Sequence, residues 1–112
     1  MKNIQLTCAH ALIKYLIAQK TLIDGKKVPL FPGVFGIFGH GNVACLGQAL
    51  QENQKDLPTW RGHHEQNMAL TGIAYSRAKR RKQIFIATSS VGPGSTNMIT
   101  AAAVAMSNRI PI

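Results

Sequence analysis

Two short apolar runs, Val34-Phe35-Gly36-Ile37-Phe38 and Ile84-Phe85-Ile86-Ala87-Thr88, each lead into a glycine turn and then into residues with helical spacing. An apolar run without polar alternation suits a strand covered on both faces. Strand, glycine turn and helix, repeated in that order, predict parallel strands joined by helical crossovers. The predicted class is therefore α/β, a parallel sheet with helices on both faces. At 112 residues the chain holds one domain at most, spanning residues 1–112.

The remaining segments fit around that frame. Thr7 is a plausible N-cap for a first helix whose face is Leu12, Ile13, Leu16 and Ile17. Asp24-Gly25 is expected to end this helix, with a loop over 26–32. Gly39-His40-Gly41-Asn42 precedes a second helix, capped by Asn42 and marked by Val43, Leu46 and Leu50. Thr59-Trp60-Arg61 reads as a short strand, and a third helix runs from Glu65 to Lys79. The fourth covers Thr96 to Ser107, with Ile99, Ala102, Ala103 and Met106 on its inward face. Arg109-Ile110-Pro111-Ile112 reads as the entry to another strand. The chain is thus expected to be a fragment lacking the last strands of its domain.

Composition narrows the partners. A 46% hydrophobic share argues against intrinsic disorder. No run approaches the roughly 20 apolar residues of a membrane span, and Lys14 interrupts the most apolar N-terminal stretch. No small-residue cleavage site follows it, so a cytoplasmic protein with no membrane partner is expected. Cys8 and Cys45 form neither a disulfide framework nor a zinc spacing, and are expected to be reduced packing residues. The net charge of +9 raises the possibility of nucleic acid. However, the run Arg77, Lys79, Arg80, Arg81 and Lys82 ends a helix, where the dipole favours cations, and no aromatic residue is interleaved with it. A solvated helix end and no nucleic-acid partner are expected.

Glu65 is the most informative single residue. With Met68, Ala69, Gly72, Ile73 and Ser76 it forms an i, i+3, i+4, i+7, i+8, i+11 stripe, so a carboxylate heads the face that should meet the core. Burial there would raise its pKa and make it a candidate for proton chemistry. The plainer reading is a first-turn acid that complements the helix dipole. A zinc-protease reading of His63-His64-Glu65-Gln66 fails, because position 68 is Met and not the second histidine. Gly39-His40-Gly41-Asn42-Val43-Ala44 fits a G-x-G-x-x-A turn. A dinucleotide site would also need an acid at the end of the second strand, whereas Glu65 begins a helix. The Gly92-Pro93-Gly94-Ser95-Thr96 turn has no lysine before Ser-Thr and is not a P-loop. Both turns should lie at the carboxyl edge of the sheet.

Three segments in order, Val34 to Gly39, His64 to Ala69 and Ala87 to Asn97, resemble the N-terminal pyrimidine-binding domain of the thiamine-diphosphate enzymes, the acetolactate-synthase-like superfamily. The string Phe35 to Val43 looks most like the branch that hydrolyses a C–C bond of a cyclic diketone in inositol catabolism. The resemblance implies thiamine diphosphate as cofactor, its aminopyrimidine ring bound at a subunit interface of a dimer or tetramer. By the same resemblance Glu65 hydrogen-bonds ring nitrogen N1′ and promotes loss of the C2 proton. Phe38, Gly39 and His40 would lie near the cofactor in the first loop, with Pro93 and Asn97 on the cofactor side of the second. Many relatives carry Pro where this chain has Gly39, and family members run to several hundred residues. The diphosphate and Mg²⁺ are therefore expected to be bound by a domain absent from this chain. A 2-keto acid substrate is the alternative within the superfamily, and a small basic nucleic-acid-binding module the alternative outside it.

Overall fold

A computed structural model of the chain describes residues 3–112. Helix α1 spans Cys8–Ala18, and Thr7 caps it as expected, its side chain accepting from the backbone N–H of His10. The helix stops well before Asp24. Gln19 is already extended, and the chain continues as an antiparallel hairpin of β1 (Lys20–Ile23) and β2 (Lys26–Pro29). Asp24 and Gly25 have φ of 50° and 76°, the left-handed pair that a two-residue hairpin turn requires. The segment expected to be a loop thus supplies half of a hairpin.

The main sheet has three strands, β3 (Val34–Gly36), β4 (Thr59–Trp60) and β5 (Ile86–Thr88), in the order β4-β3-β5 and all parallel. Alternate residues of β3 and β5 serve opposite faces. Val34 and Ile86 pack with Ile13 of α1 and with Ala49, Leu50 and Leu57. On the other face Ala87 packs with Ala69 and Ile73 of α4 (Glu65–Ala78) and with Ala101 and Ala105 of α6 (Ile99–Asn108). Helices therefore cover both faces, as the apolar strands require.

Four expectations are corrected. The second helix begins at Gly39 and not after Asn42. It runs as α2 (Gly39–Asn42), a π-helical turn (Val43–Gly47) and α3 (Gln48–Glu52). Gly39, at φ 64°, turns the chain directly out of β3, so the Asn42 side chain makes no cap and instead reaches the Ser89 carbonyl at 3.5 Å. The face of α6 is also rotated from the expected one. Ala101 and Ala105 are buried, while Ile99 and Met106 are 63% and 82% exposed. Small side chains let α6 approach α4 closely, and in a helix that is almost wholly apolar, periodicity could not rank the faces. Residues 109–112 form no strand; Arg109 closes α6 in a left-handed conformation, and Ile110 is buried beside that helix. Finally, Cys8 and Cys45 are free but exposed, so they are not packing residues.

The basic run is only partly a solvated end. Arg81 donates from Nε to the Arg109 carbonyl at 3.0 Å and from a terminal nitrogen to the Asn108 carbonyl at 3.3 Å, capping a helix other than its own. His10 is likewise engaged, hydrogen-bonded to Thr7 and, at 2.7 Å, to Glu52 across the α1–α3 contact.

Ser76 is fully buried and its hydroxyl has no hydrogen-bond partner. A lone buried hydroxyl costs about 1–3 kcal/mol. Ser76→Ala is expected to stabilise the chain by about 1 kcal/mol, seen as a higher urea midpoint at unchanged m-value. A lower midpoint would mean that the hydroxyl is satisfied.

Candidate functional site

The site lies at the carboxyl edge of the sheet, and the strand order places it there. From β3 the chain moves to β4, then recrosses β3 to reach β5. The helix after β3 covers one face and α6, after β5, covers the other. Between two such strands the outgoing loops diverge and leave a crevice, the usual ligand position in an open α/β sheet. Here the crevice has a volume of about 330 Å³ and lies between Phe38–Asn42 and Ser90–Val91. Phe38, Gly39 and His40, picked out from sequence, line it together. They also line an adjoining cleft of about 340 Å³ that reaches Val43 and Arg61.

The two glycine turns are fitted to each other through Ser90. A Cβ on Gly39 would stand 2.6 Å from the Ser90 Cβ. A Cβ on Gly94 would collide with the Ser90 hydroxyl and lie 3.0 Å from Oε1 of Glu65. No side chain fits at either position: the first turn packs on Ser90 of the second, and the carboxylate packs on the second at Gly94. Ser90 carried no motif signal of its own, whereas Gly94 was visible as the second glycine of its turn.

Glu65 is the first residue of α4. His64 caps that helix, its Nδ1 accepting from the backbone N–H of Gln66 at 3.2 Å. The stripe below is buried as the spacing predicts, at Met68, Ala69, Gly72, Ile73 and Ser76. Glu65 itself is half-buried, at the rim and not in the core. The expected rise in its pKa is therefore reversed. The Asn97 amide, donating to Oε2 at 3.1 Å, holds the carboxyl below its ordinary range; its own backbone N–H adds to this, burial opposes it by less, and the neighbouring His64 adds least. Near neutrality the group is a carboxylate.

Pro93 opens α5 (Pro93–Thr96) directly after Gly92 and is exposed; at the first turn its missing N–H costs the helix nothing. Asn97 follows α5, and its side chain is on Glu65. Among the described residues no group of three or more His, Cys, Asp or Glu side chains is placed to hold a metal ion. Nor, among them, is any helix long and apolar enough to cross a membrane.

Residues 32–112 match the family described as "Thiamine pyrophosphate enzyme, N-terminal TPP binding domain". Over all 112 residues the chain is 50% identical to a protein of Clostridium tetani (strain Massachusetts / E88) and 52% identical to one of Geobacillus thermodenitrificans (strain NG80-2). A protein of Bacillus thuringiensis (strain Al Hakam) is 50% identical over the same span. All three carry the name 3D-(3,5/4)-trihydroxycyclohexane-1,2-dione hydrolase. The matches cover 100% of this chain but only 17–18% of those relatives. No solved structure matches the chain.

Proposed function

The chain belongs to the thiamine pyrophosphate enzymes, and from that premise we propose that it forms part of the cofactor's pyrimidine site in a hydrolase acting on a C–C bond. The substrate proposed is a trihydroxycyclohexane-1,2-dione, as the names of the relatives favour; its opening to 5-deoxyglucuronate in inositol catabolism is what the sequence resemblance implies. The observation that carries the reading is the carboxylate of Glu65, held at the head of α4 against the second glycine turn, which meets the first at Ser90.

The residues present fit an aminopyrimidine ring. Gly39 and Gly94 let the two turns close on Ser90 beside the crevice lined by Phe38–Asn42, and Glu65 offers an acceptor at the head of α4 against the second turn. When bound, thiamine diphosphate supplies a nucleophilic carbon and an electron sink for C–C cleavage. Glu65 would hold a proton at ring nitrogen N1′, a contact that a carboxylate in a partly dry site makes strongly. Phe38 would wall the ring from water, while Gly39 and His40 line the first loop and Pro93 begins the turn across from it. Asn97 would act through Glu65. Mg²⁺ and the diphosphate are proposed to be held outside these 112 residues, in a cytoplasmic homo-oligomer.

The test is ring opening by the protein that carries this segment at full length, given thiamine diphosphate and Mg²⁺. Turnover of the cyclic dione with formation of one carboxylic acid is expected. Turnover of pyruvate without action on the dione would overturn the substrate assignment in favour of acetolactate-type chemistry. The 112-residue chain alone is expected to show no turnover of either.

A further inference from the structure

The two oxygens of the Glu65 carboxylate have different surroundings. Oε2 accepts from Asn97 Nδ2 at 3.1 Å, across 32 residues of sequence. Oε1 faces Gly94, whose absent Cβ would come within 3.0 Å of it. We propose that Asn97 is a positioning residue that fixes Oε2 and so presents Oε1 as the working oxygen, with Gly94 as the close neighbour whose lack of a side chain lets the carboxylate keep that place. This deepens the reading of Glu65 as the proton-handling group and rests on it.

The physical case has three parts. A glutamate in the first turn of a helix has several rotatable bonds and, with one hydrogen bond to a distant segment, loses most of that freedom before any ligand arrives. Ionised, the carboxylate has about four lone-pair sites, so the Asn97 amide and the residue's own backbone N–H leave capacity for a ring nitrogen. Gly94 is buried, and a Cβ there would lie 3.0 Å from Oε1, the oxygen that Asn97 does not use, so a side chain would crowd the carboxylate out of place. A Cβ there would also push on Ser90, which supports the first glycine turn at Gly39, so crowding would be felt in both loops.

The test is a ¹³C titration of the Glu65 side-chain carboxyl in the 112-residue chain. The titratable neighbour that bears on Glu65 is His64, and residues 89–97 carry no charged side chain, so few other groups contribute. In Asn97→Ala the midpoint is expected to rise toward 4.5, the ordinary value. In Asn97→Asp, which keeps the shape and adds a like charge, it should rise further. Gly94→Ala should shift the Glu65 carboxyl resonance together with the amide signals around Gly39 and Ser90. An unmoved midpoint in both Asn97 variants, with backbone spectra otherwise unchanged, would overturn the tether. An unmoved Glu65 resonance in Gly94→Ala would overturn the assignment of Oε1. A second pair of measurements separates the tether from the function. If the titration behaves as stated while Glu65→Gln leaves cofactor C2-proton exchange intact at full length, the tether stands and the catalytic reading of Glu65 falls.

Discussion

Replacing Glu65 by Gln in the full-length protein is expected to slow C2-proton exchange of bound thiamine diphosphate by about 10² to 10⁴, the usual share of a positioned general acid or base. Gln keeps the length of the side chain and can still accept from Asn97, so the fold at the head of α4 should survive. It cannot gain or lose a proton. Cofactor affinity should fall much less, because the proposed diphosphate anchor lies outside these residues. The variant therefore separates proton transfer from binding. Equal exchange rates in the two proteins would leave Glu65 as a first-turn acid whose only work is with the helix dipole.

The largest effect on stability is expected at Leu50. This side chain is 1% exposed and packs with Ile13, Val34, Ala49 and Leu57 where α1, α3 and β3 meet. Leu→Ala at such a site typically costs about 2–5 kcal/mol, the spread reflecting how far the cavity can collapse. A domain of this size has only about 5–15 kcal/mol in total. Leu50→Ala should thus lose a large part of the folding free energy, read as a drop in urea midpoint by the fluorescence of Trp60. That residue is the chain's single tryptophan and is packed near Phe35 and Phe85. A loss below about 1 kcal/mol would show that α3 is not seated as described. Because α3 continues from α2 through the π-helical turn, loosening Leu50 should also disturb the Gly39 turn and hence the crevice.

How much of this was legible follows from which forces are local. The parallel strands were readable because an apolar run bounded by glycine turns leaves few alternatives. The α4 stripe was readable because five buried positions keep one spacing over three turns. The hairpin is not evident from the sequence because Asp24-Gly25 suits the end of a helix as well as a hairpin turn, and the apolar spacing before it is helical. The face of α6 was not readable at all, since Ile99, Ala102, Ala103 and Met106 are no less apolar than Ala101 and Ala105. Only the packing distance to α4 chooses between them. In the site, Glu65 and the glycines announced themselves by spacing and residue type. The Asn97 hydrogen bond and the role of Ser90 depend on two loops meeting in space, which spacing along one chain does not encode.

The outward face of α6 has a consequence for how the chain behaves in solution. Ile99 and Met106 stand exposed on a molecule carrying a net charge of +9. At low ionic strength, like charge holds copies apart over a distance of about 30 Å at 0.01 M salt, farther than contact between apolar patches can reach. At 1 M the same repulsion extends only about 3 Å. Salt, usually added to keep a basic protein dispersed, would here remove the barrier between sticky surfaces. The colloidal stability of the isolated chain should therefore fall, and not rise, as the buffer is made more concentrated.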